Sequence, residues 1–192
     1  MSRIVIFESL TLDGVHQAPA AADEDPRDGF AHGGWALPYS DEVAGRAAAE
    51  SMGTTGAILL GRRTYQHFAT VWPGRTDNPY SQILDNTQKY VVSRSLSGPL
   101  EWRNSTLLST VDEVADLKKG LDKDIVVLGS GELVRSLLDR GLVDELILLI
   151  HPILLGSGRR LFPGGAQGAD LTLTGSRSTG TGVVVATYRA DA

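Results

Sequence analysis

Strands that alternate with helices over residues 1–150, followed by a hairpin, predict an α/β three-layer fold with a largely parallel central sheet and a C-terminal antiparallel edge. Three stretches carry this expectation. Residues 124–162 (DIVVLGSGELVRSLLDRGLVDELILLIHPILLGSGRRLF) open with Ile125-Val126-Val127-Leu128, a β-branched run suited to a strand buried on both faces. Gly129-Ser130-Gly131 is then a tight turn, and Leu133, Val134, Leu137 and Leu138 recur at helical spacing until Gly141. Residues 144–150 are a second apolar strand that Pro152 ends. Near the other end of the chain, residues 3–12 (RIVIFESLTL) begin as a continuous apolar run and then alternate, as in a central strand that emerges into polar surroundings. The last stretch, 171–178 and 183–189 joined by Thr-Gly-Thr-Gly, reads as the closing hairpin.

The intervening elements follow in order. Asp13-Gly14 closes the first strand, and residues 15–34 form a loop of twenty residues with little periodicity. A loop of that length is either a lid or binding loop or a disordered insertion, and its place after a core strand favours function. Ser40 is the expected N-cap of an alanine-rich helix with Asp41 and Glu42 in its first turn, stopped by Gly53. Ala57-Ile58-Leu59-Leu60 is a buried strand, and Gly61-Arg62-Arg63-Thr64 turns it into a helix. A short helix at 79–86, strands at 89–92 and 106–108, and a helix at 111–121 with acids early and lysines late complete the set. With 192 residues and neither linker nor repeat, 1–192 reads as a single domain.

Composition narrows the function classes. A hydrophobic content of 42% with 21% charged residues is that of a soluble globular protein. The net charge of −5 argues against a nucleic-acid or anionic-membrane surface. No cysteine is present, which excludes disulfides, thiolate metal sites and a thiol nucleophile and is compatible with the cytoplasm. His16, His32, His67 and His151 show no metal spacing, so no metal is expected. His151, before Pro152, reads as structural, and no Gly-x-Ser-x-Gly elbow supports a serine triad.

In open α/β sheets ligands bind beyond the carboxyl ends of the strands. Four such ends carry unusual text: Asp13-Gly14, Gly61-Arg62-Arg63-Thr64, Ser93-Arg94 and Gly129-Ser130-Gly131. Arginines beside a hydroxyl at a helix start suit a phosphate, because a guanidinium grips it in a bidentate manner and backbone N–H groups complete the shell. Glu8 interrupts an apolar run. A carboxylate there is either paired, functional, or exposed where the strand leaves the core.

Taken together, LLGRRTY, VVSRSL, LGSGELVRSLL and LVDELILLIHPILLGSGRRLF, after a strand ending in LDG and a WxLP segment, resemble the dihydrofolate reductase-like superfamily. The resemblance is strongest to the reductase domain of bifunctional riboflavin biosynthesis proteins and to stand-alone bacterial dihydrofolate reductase family proteins. It implies a dihydrofolate reductase-like fold, NADPH as cofactor and hydride transfer to a small heterocyclic or pyrimidine-type substrate, or to a sugar phosphate. By position in the motifs, it assigns the cofactor to Ser9, Asp13, Gly14, Gly61, Arg62, Arg63, Thr64, Ser93, Arg94, Gly129, Ser130, Gly131, Glu132 and Leu133. Relatives often carry a Gly-Gly pair with a cis peptide at the glycine turn; Ser130 takes the second place here, where a cis bond costs more. Trp35, Pro38 and Asp41 match the substrate side, with Asp41 one position beyond the usual carboxylate. Asp41 and Glu8 are the catalytic candidates, each as holder of a proton-delivering water. The resemblance also implies a homodimer through the closing sheet, with residues 146–150 taking part. A genuine dihydrofolate reductase, a pyrimidine-reducing riboflavin enzyme and a non-catalytic NADP-binding module are the alternatives.

Overall fold

A computed structural model describes residues 2–76, 78, 80–164 and 168–190, and their contacts gather into two compact units. The first comprises residues 1–5 and 54–142, the second 6–53 and 143–192. The first strand, β1 (Ile4–Thr11), begins in one and continues into the other.

In the first unit four parallel strands run in the order β4 (Ser105–Leu108), β3 (Gln88–Val92), β2 (Thr55–Gly61) and β5 (Asp124–Val127). Ala57 to Leu60 are wholly buried, as are Ile125 and Val127, so the uninterrupted apolar text marks strands covered on both faces. The register sets Gly61 opposite Val92 and Leu59 opposite Val127, which brings the ends of β2, β3 and β5 to one edge. Two helices leave that edge: α2 (Arg62–Val71) directly from β2 and α5 (Gly131–Leu138) just after β5. Leu133, Val134 and Leu137 are the buried stripe of α5, as their spacing predicts. The remaining helices are α3 (Tyr80–Asn86) and α4 (Glu113–Gly120). Pro79, where the predicted helix begins, lies outside the described residues.

The second unit holds the rest of β1 with β6 (Glu145–His151), β8 (Val184–Ala190) and β7 (Leu171–Ser178), the last three antiparallel. One helix, α1 (Glu42–Gly53), packs through Ala44 and Ala47 against Phe7, Ile147, Leu149, Val183 and Val185. Its cap differs from the expectation. Asp41, not Ser40, precedes the first helical residue, and its Oδ1 accepts the Ala44 N–H at 2.9 Å. Aspartate wins because its second oxygen also accepts the Gly180 N–H at 2.8 Å, which ties the helix start to the closing hairpin.

The long loop has a small core of its own. Val15, Ala18, Phe30 and Trp35 are buried together, with Ile153 and Leu155 against them. Burial of that apolar text explains why a segment without periodicity is structured: the order lies in its contacts with residues 153–161 and leaves no repeat in the sequence.

Candidate functional site

At the carboxyl edge of the first unit the chain leaves helix N–H groups without side-chain caps. Gly61 caps α2 and Ser130 caps α5, and neither helix start receives a side-chain hydrogen bond. The first N–H groups of both helices therefore point outward with a positive dipole end behind them. The two turns are zipped together, the Gly61 N–H donating to the Gly129 carbonyl at 3.2 Å. A Cβ on Gly61 would lie 2.3 Å from the Ser130 Oγ and 3.3 Å from its backbone nitrogen, so only glycine fits. The Gly129–Ser130 peptide is cis, serine in the second place notwithstanding.

The first turn of α2 holds no acid and contains Arg62 and Arg63. Neither arginine has an ion-pair partner among the described residues. Two cations at a helix N-terminus repel the dipole and each other until an anion arrives. Thr64 lies in the same turn. Ser93 is buried, and its hydroxyl accepts the N–H groups of Ser95 at 3.2 Å and Leu96 at 3.0 Å, closing the loop that presents exposed Arg94. Gly131 and Leu133 are buried in the first turn of α5, while Glu132 is exposed there. The arrangement suits a ligand with phosphate groups, and the residues therefore fit the cofactor that the sequence implies.

In the second unit the predicted residues fall into two groups. Asp13 is engaged throughout: its carboxylate accepts the Thr11 hydroxyl at 2.6 Å and the N–H groups of Gly156 at 2.9 Å and Leu155 at 3.3 Å. The Thr11 bond first, then those backbone donors, holds its pKa below the usual carboxylate range. Gly14 takes φ +81°, and its carbonyl accepts the Leu161 N–H at 3.0 Å. Trp35 is buried. Its indole N–H donates to the Gln17 carbonyl at 2.7 Å, and its ring meets that of His151 edge-on at 5.0 Å. The His151 Nδ1 lies 3.0 and 3.2 Å from the carbonyl oxygens of Leu149 and Leu10, so this nitrogen carries the proton, and burial depresses the ring's pKa. Pro38 is exposed in a 3-10 turn, Leu37–Tyr39. Asp41 caps α1 with one oxygen and holds the Gly180 N–H with the other, and the Ala44 N–H lowers its pKa.

Glu8 is the exception. It is 8% exposed, and its Oε1 has no hydrogen-bond partner among the described residues. Burial, then the negative charge of Glu24, pushes its carboxyl up to about 8. Successive side chains on a strand face opposite ways, and Phe7 faces α1. Glu8 therefore points away from α1, whose cap is Asp41: the two catalytic candidates are not brought together. Ser9 shares the side of Phe7.

The sequence assigns no structural role to Gln17, which is 2% exposed and pins the loop. Its Nε2 donates to the carbonyls of Asp25 at 3.0 Å and Arg27 at 3.1 Å, and its Oε1 accepts the Arg159 N–H at 2.9 Å. Gly158 has no room for a side chain, since a Cβ would meet the Phe30 ring at 2.6 Å. The signal for both is the LLGSGRRLF text, whose glycines and Leu161 seat it against this loop. No cluster of metal-ligating side chains occurs among the described residues, and none of their helices is long and apolar enough to cross a membrane.

The model of the RibD C-terminal domain matches residues 3–185. The chain belongs to the RibD C-terminal domain family. The uncharacterized protein YyaP of Bacillus subtilis strain 168 is 32% identical over 138 residues, 68% of this chain and 72% of that protein. A putative riboflavin biosynthesis protein from Shewanella sp. PV-4 shares the fold over 99% of both chains, with a TM-score of 0.69 at 20% identity. Dihydrofolate reductase from Enterococcus faecalis, complexed with NADP(H) and RAB-propyl, covers 99% of this chain and 97% of its own, with a TM-score of 0.64 at 13% identity. The fold is thus dihydrofolate reductase-like, with mainly parallel strands and an antiparallel C-terminal portion, and it is a reductase-like fold.

Proposed function

We propose that this RibD C-terminal domain protein is an NADPH-dependent reductase acting on a small heterocyclic or pyrimidine-type substrate. The observation that carries the reading is the carboxyl edge of the first unit: two uncapped helix starts, Gly61 with no space for a side chain, and Arg62, Arg63 and Arg94 around them. Gly61, Thr64, Ser130 and Gly131 would cradle the cofactor's phosphates with backbone and hydroxyl donors, and Arg62 and Arg63 would hold the phosphate that distinguishes NADPH from NADH. NADPH, when bound, supplies a hydride. The complex of the Enterococcus faecalis neighbour with NADP(H) supports the assignment. The carboxylate with chemistry left to offer is Glu8, because the oxygens of Asp41 and Asp13 are spent on backbone donors. A cytoplasmic setting, with no nucleic-acid or membrane partner, belongs to the same reading.

Calorimetry with NADPH and NADH on the parent and on Arg62→Ala/Arg63→Ala tests it. The parent prefers NADPH, and the double variant binds it at the NADH level, a loss of about 100-fold for two charge-assisted contacts. A parent that binds neither nucleotide refutes the reading.

A homodimer is part of the proposal. All eight positions of β7 are exposed, and the apolar side chains left uncovered on this sheet are Leu171, Leu173 and Val184. Leu146, Leu148 and Leu149 of β6 are already buried within the chain, so β7 and β8 are the better contact than 146–150. Sedimentation at monomer mass over the micromolar range rejects the dimer.

A further inference from the structure

The start of α2 carries Arg62 and Arg63 but has no side-chain cap to fix it. A first turn without a cap depends on other contacts for its placement. Gly61 supplies one, its N–H bonded to the Gly129 carbonyl at 3.2 Å. Tyr65, buried in the same turn, supplies another. Its hydroxyl oxygen accepts the backbone N–H of Trp102 at 3.0 Å, 37 positions along the chain. Among the described residues, this is the one hydrogen bond that a side chain of α2 makes outside its own helix. The far side of the bond is held firmly. Trp102 is buried, its indole N–H donates to the Asp85 Oδ1 at 2.6 Å, and the Lys89 Nζ lies 4.3 Å from the centre of its ring. That Nζ is in turn fixed by the carbonyls of Leu84 at 2.7 Å and Thr87 at 2.9 Å. The Tyr65 and Trp102 rings lie 6.4 Å apart between centroids, tilted by 34°. Every one of these residues belongs to the first unit.

We infer that Tyr65 is a positioning residue: by tying the first turn of α2 to Trp102, its hydroxyl aims Arg62 and Arg63 at the 2′-phosphate and so sets the preference for NADPH over NADH. This rests on the reductase reading above. Residues 62–65 span about one helical turn, so they move as one body. Tyr65 lies three positions after Arg62, which makes the two neighbours on the helix surface. A guanidinium grips phosphate through a rigid fork, and a small displacement of its base spoils the bidentate geometry. Removing the hydroxyl orphans the Trp102 N–H and frees the turn, while a phenyl ring in its place keeps the burial.

The test is calorimetry with NADPH and with NADH, well below the unfolding midpoint. It compares the parent, Tyr65→Phe, Arg62→Ala/Arg63→Ala and the variant that combines all three changes. Tyr65→Phe should weaken NADPH about tenfold and NADH by less than about twofold. In the combined variant the phenylalanine should add nothing, because the groups it acts through are gone. A hydroxyl that only stabilises the fold would cost both nucleotides alike, and would go on costing them without the arginines. Should Tyr65→Phe not fold, Trp102→Phe takes its place. It keeps the backbone N–H but loses the indole bond to Asp85, and it should show the same selective loss at a smaller size. Unchanged selectivity in the folded variant, equal losses for the two nucleotides, a loss that persists without the arginines, or a parent with no preference each overturns the inference alone. A parent that binds neither nucleotide sinks the reductase reading, and this inference with it.

Discussion

The first unit buries a lysine inside its sheet and the second a glutamate, and the two are treated in opposite ways. Lys89 on β3 is wholly buried, yet its Nζ donates to the carbonyls of Leu84 at 2.7 Å, Thr87 at 2.9 Å and Asp85 at 3.4 Å. The same nitrogen lies 4.3 Å from the centre of the Trp102 ring, whose indole N–H donates to the Asp85 Oδ1 at 2.6 Å. Burial pulls its pKa down to about 8, and the nearby charge of Asp85 works against that fall. Three carbonyl acceptors call for all three N–H bonds of an ammonium, so the charged form is the one the pocket is built around. Glu8 has a comparable depth and no such shell. A buried charge with every bond answered is architecture, whereas a buried carboxyl left unanswered is held in its neutral form by the cost of burial.

The comparison breaks most readily at Lys89. Replacing it with methionine keeps the stem but strips the donors from three carbonyls near the end of α3, and should cost about 4 kcal/mol in urea unfolding. A loss under about 1 kcal/mol would show that water serves those carbonyls equally well. At Glu8 the sign reverses. Its folded-state pKa of about 8 exceeds the reference value of 4.5, so between these values the folded chain holds a proton that the unfolded chain has released. Its contribution is fully present below 4.5 and is lost as pH rises through 8. The parent should therefore lose on the order of 3 kcal/mol between pH 5 and 8 through this group, and Glu8→Gln should flatten that slope. An unchanged slope in the variant would mean that Glu8 is ionised and partnered.

Gln17 sharpens the contrast with a neutral group. Alanine there orphans two carbonyls and the Arg159 N–H, and about 2 kcal/mol should be lost, with faster amide exchange confined to residues 15–36. Exchange rising throughout the chain instead would make the loop part of the global core. The smallest effect is expected next door. Ala18 sits at φ +48°, a left-handed geometry that glycine adopts freely, but its methyl group is buried in the loop core. Ala18→Gly trades strain against packing and entropy, so its midpoint should move by less than about 1 kcal/mol.

Much of the fold is legible because it is written in local patterns. Ala57-Ile58-Leu59-Leu60 and Ile125-Val126-Val127 are apolar throughout since both faces of their strands are covered, and the stripe of α5 gives its buried side directly. The phosphate-type edge is legible for a related reason: glycines and arginines cluster at strand ends that the alternation locates. The second unit is harder. Asp13 and Asp41 carry the residue type that chemistry would use, and only the coordinates show their oxygens committed to Gly156, Ala44 and Gly180. Gly156 and Gly180 lie 143 and 139 positions away, and no local pattern records them. Glu8 is legible as an anomaly in an apolar run, but whether a partner answers it depends on tertiary contacts.

The clasp around Gln17 has a practical corollary. The tip of the loop, at Ala22 and Asp23, is exposed, while both sides of it are held independently of the peptide bond between them. Gln17 grips the carbonyls of Asp25 and Arg27, and the N–H groups of Gly34 and Ala36 bond to Ala18 and Pro19. A protease that nicks the chain at Ala22–Asp23 should therefore release no fragment under native conditions. Pieces 1–22 and 23–192, expressed separately, should reassemble, which makes this bond the natural place to split the protein into a complementation reporter.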